Sequence, residues 1–472
     1  MLASRLYLVF SLILTLPGLT LARQSSQKDS TAALNQALQL AREHRYAKAA
    51  EALKGVPTPS NSAQQIAFYR LKGAIASGLN QFSVAAENMD LAAKLAPEDQ
   101  GLRVAADLAR LQEQIESHRD ATETLKRLRS AELPPQQALD IRLRLAEILS
   151  TANHFSEATT DFAAAVALAP GRADLLYDLA LANFRSGRLD DALASAETAK
   201  SLEDNGSIES LLGDIHEKRG DALAAVHCYQ AAITLEPAEE HHRLTLALEL
   251  LRHQTFDAAL VVLNQAASLF PKSIRVKILL GLTYYFVDRS EDAVQSLLEA
   301  TEFDAQDETA ARYLGEITLE DTSTPNPDAT THICKFADEH PRSKTAGAFC
   351  GGILLRLARD SGDLSRRSDI IRRLQQAARV APAEPTARCQ LGKAYEWAEQ
   401  WNEAKTEMQS CVRLDPNSPD GHYHLSRVYR RLGLPVLASQ QVALQEVAAA
   451  RQSEESTRRT ESVSKFLVLL EH

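Results

Sequence analysis

Small residues recur along the middle of this 472-residue chain at an almost constant interval. Successive alanines stand 34, 33, 34 and 34 residues apart, at Ala158, Ala192, Ala225, Ala259 and Ala293. Another alanine follows each of them after seven residues, which is about two helical turns and therefore the same helix face. A period of this length is typical of one short unit repeated many times, so the chain need not build one large globular core.

The stretch from Ile274 to Phe303 shows what the repeated unit is. Two apolar-periodic segments are joined by a polar break at Asp288-Arg289-Ser290. Gly281 and Ala293 are small at the places where two antiparallel helices must approach closely. The pattern predicts a helical hairpin.

The chain resembles the tetratricopeptide repeat family in this period and in its small-residue pattern. The family's small residue of the first helix is matched by Gly73, Ala146, Ala180, Gly213, Ala247, Gly281, Gly315 and Gly392. Its closing proline is matched by Pro97, Pro170, Pro237, Pro271, Pro341, Pro382 and Pro416. The family's early tryptophan is absent, so the resemblance depends on the small residues and prolines.

The resemblance implies an all-α fold, a right-handed superhelical solenoid of about twelve stacked antiparallel helix hairpins. The expected domains are a signal peptide (1–22), a linker with a degenerate first hairpin (23–62), an N-terminal and central array (63–305), units with longer turns (306–382), C-terminal units (383–448), and a polar segment with a capping helix (449–472). The longer turns, at 321–328 and 360–368, are either a docking ledge or tolerated surface insertions.

Residues 1–22 have the features of a secretory leader. Arg5 supplies a positive charge, Leu6 to Leu16 is apolar, and Thr20-Leu21-Ala22 is a small-x-small cleavage site. We therefore expect a periplasmic or secreted protein cleaved after Ala22, with no membrane span in the mature chain. The alternative is an uncleaved N-terminal segment that anchors the protein in the membrane.

The composition argues against nucleic-acid binding and the motifs argue against catalysis. The net charge is −10, and phosphate contacts need clustered Lys and Arg. The chain has no HExxH, GxSxG or phosphate-loop pattern, so we expect no enzyme activity, no cofactor and no catalytic residue. His241-His242 and the pair His422 and His424 lack matching ligands, and we expect solvated side chains and no metal site.

Four of the five cysteines form two candidate disulfide pairs. Cys389 and Cys411 lie at similar heights on the two helices of one predicted hairpin, and Cys334 and Cys350 lie on adjacent helices. Disulfides are allowed in an exported protein, and buried free thiols are the alternative for both pairs.

The family resemblance places partner binding on a concave wall lined by the first helices. The predicted partner-binding residues are Tyr177, Phe184, Arg185, Leu248, Arg252, Leu282, Tyr285, Phe286, Arg312 and Tyr313. Leu244 and Ile278 belong to the same predicted wall, and Tyr285 or Phe286 has the alternative of packing against the next repeat.

These features predict a non-catalytic interaction scaffold that works outside the cytoplasm. The apolar and aromatic groups of the wall suit an amphipathic helix or an extended peptide of a protein partner. By resemblance, such a protein would serve cell-envelope biogenesis or export. The alternative is an envelope enzyme, or its accessory subunit, with a site in the groove.

Overall fold

The computed structural model describes residues 27–303, 308–320 and 325–470, with the side chains of 27–31, 452 and 455–470 outside the description. These residues form twenty-four α-helices and one short 3₁₀ turn, and no β-strand is found among them. The all-α prediction is therefore confirmed. The expected leader, residues 1–22, lies outside the described residues.

The chain divides into two units, and the first ends at Asp204. Its helices are α1 (Gln27–Arg42), α2 (Tyr46–Ala52), α3 (Ser62–Gly78), α4 (Phe82–Leu95), α5 (Gln100–Glu116), α6 (Thr122–Arg129), α7 (Pro135–Thr151), α8 (Phe155–Leu168), α9 (Ala173–Arg185) and α10 (Leu189–Leu202).

The second unit begins at Asn205. Its helices are α11 (Gly206–Arg219), α12 (Ala222–Leu235), α13 (Glu240–Arg252), α14 (Phe256–Leu269), α15 (Ile274–Phe286), α16 (Ser290–Phe303), α17 (Glu308–Glu320), α18 (Pro327–Glu339), α19 (Ala346–Ser361), α20 (Arg367–Val380), α21 (Pro385–Trp397), α22 (Trp401–Leu414), α23 (Pro419–Arg431) and α24 (Pro435–Leu470).

Within each unit, consecutive helices pack as hairpins, with odd-numbered helices first and even-numbered helices second. In most hairpins the second helix also packs on the first helix of the next hairpin. The apolar cores are correspondingly local, and one of them joins Ala259 of α14 to Leu246 of α13 and Tyr229 of α12. Each hairpin thus buries its apolar side against its neighbours along the chain.

Two local features hold a hairpin closed, and Gly281 shows the first. A Cβ atom at Gly281 would stand 2.7 Å from Leu297 Cγ and 3.1 Å from the Ala293 carbonyl oxygen. The helices therefore approach as closely as the small-residue pattern predicts. The second feature is a left-handed residue in the turn, such as Asn153 (φ 63°) or Gly220 (φ 85°), which reverses the chain within a few residues.

The C-terminal region differs from the sequence expectation. The backbone of α24 runs without a break from Pro435 to Leu470, where a polar segment and a separate capping helix were expected after residue 448. No helix within the described ranges has the length and apolar character needed to span a bilayer.

Candidate functional site

The first helices of four consecutive hairpins in the second unit are tied to one another by polar contacts. Arg252 Nη1 of α13 lies 2.7 Å from Glu217 Oε1 of α11, and Arg275 Nη2 of α15 lies 3.3 Å from Glu240 Oε1 of α13. The Tyr285 hydroxyl of α15 donates to Glu320 Oε2 of α17 at 2.6 Å. We call the solvent side of these four helices the first-helix face, and it carries Asp214, Glu217, Lys218, Leu248, Arg252, Leu282, Tyr285, Phe286, Arg312, Tyr313, Glu316 and Glu320.

Two large apolar side chains of the first-helix face are open to solvent. Leu248 is 46% exposed and Phe286 is 53% exposed. The Phe286 ring stacks on Phe256, the first residue of α14, at 5.3 Å between ring centroids. One face of the Phe286 ring thus packs on the preceding hairpin. The other face stays open to solvent, because a stacked pair covers only one face of each ring.

The Tyr285 side chain points toward the next hairpin. Its ring is half-buried against the core formed by α15 to α19, together with Leu282, and its hydroxyl is bound to Glu320. One of the two adjacent aromatic residues therefore packs on the next hairpin and the other on the preceding one. Leu244 and Ile278, expected on the wall, are 5% and 9% exposed, so that expectation was wrong: both belong to the hydrophobic core.

The arginines of the face are largely neutralised. Arg252 Nη1 contacts Glu217 Oε1 at 2.7 Å and the buried Glu249 Oε2 at 2.5 Å. The Arg312 guanidinium stacks over the Tyr313 ring at 4.2 Å and lies 3.8 Å from Glu316 Oε2. Both cations already have anionic partners, so they are poorly placed to bind an acidic ligand.

The face carries four carboxylates and three cations, and the sequence analysis did not assign a role to two of the carboxylates, Glu316 and Glu320. Glu316 and Glu320 stand one turn apart on α17. Burial raises the pKa of Glu316, and the negative charge of Glu320 raises it further. Their i, i+4 spacing in a first helix is the sequence signal that could have identified them.

The remaining predicted residues of the wall belong to the first unit. Tyr177 and Phe184 are half-buried on α9, and Arg185 at the end of that helix is exposed. Tyr177 lies in the second turn of this first helix and the other two lie in its last turn, but the first-helix face is made by the second unit alone.

Three of the four histidines expected to be solvated are buried, so that expectation was wrong. His242 lies between Ser210 Oγ at 3.1 Å and Glu236 Oε2 at 3.0 Å. His422 and His424 are 4% and 7% exposed. Of these four histidines, His241 alone is exposed. Among the described residues no group of three or more His, Cys, Asp or Glu side chains is arranged to hold a metal ion.

The cysteines pair as the spacing allows. Sγ atoms of Cys389 and Cys411 are bonded across the α21–α22 hairpin, and those of Cys334 and Cys350 join α18 to α19. Both disulfides lie in the second unit, and Cys228 belongs to neither. The Cys228 side chain is half-buried on α12.

Stacked helix hairpins of this kind define the class of helical repeat proteins. Residues 143–206 and 210–276 match the tetratricopeptide repeat family, so this part of the chain consists of tetratricopeptide repeats.

Solved structures of similar fold include three of different length. The C-terminal part of a tetratricopeptide repeat protein from Cytophaga hutchinsonii is 16% identical, covers 60% of this chain and 98% of its own, and gives a TM-score of 0.42. Yeast Tom70 is 15% identical with coverage of 91% and 97% and a TM-score of 0.36. YrrB, described as having an unusual peptide-binding site, is 20% identical with coverage of 38% and 97% and a TM-score of 0.31. No curated protein matches the chain in sequence.

Proposed function

We propose that the protein is a non-catalytic scaffold that binds a peptide or helix of a protein partner on the first-helix face. One observation carries the proposal: Leu248 and Phe286 are exposed on a face whose arginines are neutralised and whose Glu316 and Glu320 are adjacent carboxylates. A partner segment of complementary chemistry has apolar side chains for Leu248 and Phe286 and a Lys or Arg for the carboxylates.

The raised pKa of Glu316 supports a basic partner group. Burial and the charge of Glu320 both disfavour the ionised form of Glu316. The unbound protein therefore bears a free-energy cost for holding these two negative charges together. An ammonium or guanidinium group of the partner relieves that repulsion, and the relief adds to the binding free energy.

We further propose that the protein works outside the cytoplasm, in cell-envelope biogenesis or export. The support is the leader-like sequence of residues 1–22 and the two disulfides of the second unit, because disulfides persist in oxidising compartments. Fusion of alkaline phosphatase after Glu454 tests the location, since that enzyme folds only where disulfides form. An inactive fusion in cells that accumulate the full-length protein would contradict it.

Site-specific crosslinking tests the binding face. We expect a photoreactive phenylalanine analogue at Leu248 or Phe286 to crosslink a discrete partner in cells of the source organism. The matched controls are Val261 and Leu269, which are 59% and 55% exposed on the second helix α14. Crosslinks of equal yield from the controls, or none from Leu248 and Phe286, would contradict binding on this face.

A charge variant then tests the chemistry of the partner segment. Glu316→Gln with Glu320→Gln should weaken capture of the crosslinked partner by about thirtyfold, because each of the two lost charge pairs at a partly buried site is worth roughly 1 kcal/mol. Glu291→Gln with Glu302→Gln, at exposed positions on the second helix α16, removes the same charge and should leave capture unchanged.

A further inference from the structure

A cavity of about 690 Å³ lies on the other side of the repeats, between the second helices α18 and α20. Its floor is α19, where Gly347 allows close approach to Ala377 and where Leu354 is exposed to the cavity. None of its lining residues belongs to the first-helix face. The volume lies within the roughly 300–1,000 Å³ that is usual for ligand sites.

The cavity is basic in a chain that is acidic as a whole. Four arginines and two aspartates line it, and the chain carries a net charge of −10. Arg373 Nη1 pairs with Asp338 Oδ1 at 2.6 Å, and Arg372 Nη2 pairs with Asp369 Oδ1 at 2.7 Å. Within the described part of the chain, the other two, Arg366 and Arg379, form no ion pair.

The two arginines without an ion pair stand at opposite ends of α20. Arg366 is in the 3₁₀ turn Leu364–Arg366 that precedes the helix, and Arg379 is in its last turn. Thirteen residues of helix separate them by roughly 20 Å at 1.5 Å per residue. A single small anion cannot contact both guanidinium groups, whereas an extended chain rising about 3.3 Å per residue spans them in about seven residues.

The longer turn between α19 and α20 positions Arg366. Gly362 ends α19 in the left-handed region, and Asp363 Oδ1 accepts from the Ser365 backbone N–H at 2.9 Å. This cap starts the 3₁₀ turn and sets Arg366 over the end of the cavity. The extra residues at 360–368 therefore supply a ligand-facing side chain as well as a connection.

We propose that the cavity between α18 and α20 binds an extended acidic peptide segment of a protein partner, with carboxylates at its two ends held by Arg366 and Arg379. Guanidinium groups match carboxylates with two parallel hydrogen bonds, and the apolar floor contacts the side chains between them. The exposed pair of Arg372 and Asp369 is weak and can exchange for a partner carboxylate. This site is separate from the first-helix face, so one scaffold holds a basic apolar segment on one side and an acidic segment on the other.

Fluorescence anisotropy with the full chain tests the site. The probe is a labelled heptapeptide, Glu-Glu-Gly-Ser-Gly-Glu-Glu, at low ionic strength. We expect Arg366→Gln with Arg379→Gln to weaken its binding by about tenfold or more, and added salt to weaken it in the wild type. Lys272→Gln with Arg413→Gln is the matched control, because it removes the same charge from exposed positions outside the cavity and should change the affinity less than about twofold.

Several outcomes would overturn the proposal. Equal losses in the two double variants would mean diffuse charge attraction, and unchanged binding in Arg366→Gln with Arg379→Gln would remove the site. If either single variant alone gave the whole loss, the ligand would be a local anion and not an extended segment. A labelled oligothymidylate that bound more tightly through the same arginines would identify a nucleic-acid backbone in place of a peptide. Thermal unfolding of every variant confirms that the exposed substitutions leave the fold intact.

Discussion

His424 on α23 lies between two carboxylates. One is on α23 itself, and the other is on the first helix of the preceding hairpin. His424 Nδ1 lies 2.5 Å from Glu396 Oε2 of α21, and its Nε2 lies 3.5 Å from Asp420 Oδ1. Lys393 Nζ contacts Asp420 at 2.6 Å, and Arg427 Nε contacts Glu396 at 3.1 Å. Burial by itself lowers the pKa of His424, but the hydrogen bonds and charges of Asp420 and Glu396 outweigh burial and raise that pKa above its ordinary value of 6.5.

A raised pKa of His424 makes stability depend on pH. The protonated ring contributes stability that is fully present below pH 6.5, its pKa when unfolded, and that is lost as pH rises through the higher folded-state pKa. Thermal unfolding of the wild type should therefore show a loss of stability as pH rises above 6.5 that the His424→Gln variant lacks.

His332 provides the control for that measurement. Burial lowers its pKa, so its contribution to stability has the opposite sign and is lost as pH falls below 6.5. His332→Gln should keep the alkaline loss seen in the wild type. If His424→Gln retained the same alkaline loss, the carboxylates would not be stabilising the protonated ring.

The same residues show what sequence could and could not predict at this scale. Gly281 was predictable, because the residue that it meets, Leu297, lies 16 positions away within the same hairpin. The environment of His424 was not, because Glu396 is 28 residues away in another hairpin and only the stacking register brings the two together. Sequence periodicity defines the hairpin, whereas polar partners depend on how hairpins meet.

At the scale of elements, α6 is one of the two shortest helices of the first unit. It has eight residues, and its N-cap residue, Ala121, makes no side-chain capping hydrogen bond. Arg129 at its end contacts Asp161 of α8 at 2.6 Å, and Arg142 of α7 contacts the same carboxylate at 2.7 Å. Arg142 also donates to the Arg129 carbonyl oxygen at 2.7 Å. Asp161, which is fully buried, therefore joins α6 to the next hairpin.

Removing that carboxylate should loosen α6 first. Asp161→Ala leaves two partly buried guanidinium groups without their shared partner, and we expect a loss of about 3 kcal/mol in the free energy of unfolding. Hydrogen exchange in peptides covering Thr122–Arg129 should accelerate most. Asp174→Ala removes an exposed pair with Arg172 and should cost less than about 1 kcal/mol. Equal effects of the two substitutions would mean that Asp161 does not hold α6 to the next hairpin.

Helix boundaries followed from the sequence where the repeat is regular and failed where it is not. The five registered alanines place α8, α10, α12, α14 and α16 correctly, because all five are fully buried. The alanine spacing continues to Ala438, 34 residues after Ala404, but no repeat follows it, and the uninterrupted helix Pro435–Leu470 was not predicted. A polar sequence such as the one after Ala450 can form a helix as well as a loop.

For the whole molecule, the covalent links are distributed unevenly. Both disulfides lie between Cys334 and Cys411 in the second unit, and none is described in the first. They close loops of 16 and 22 residues. Crosslinks of this length stabilise a fold by about 3 kcal/mol each when the unfolded chain is the state that they restrict.

Reduction of the disulfides should therefore destabilise the second unit and leave the stability of the first unit unchanged. With dithiothreitol, hydrogen exchange in residues 327–414 should accelerate, while exchange in residues 62–202 stays unchanged, because repeats depend mainly on their neighbours. A variant with serine at Cys334, Cys350, Cys389 and Cys411 should be insensitive to the reductant and already show the faster exchange. Alkylation of the denatured, unreduced wild type should leave those four cysteines unmodified. Modification of all five would mean that neither disulfide forms, and the case for an oxidising compartment would then depend on the leader sequence alone.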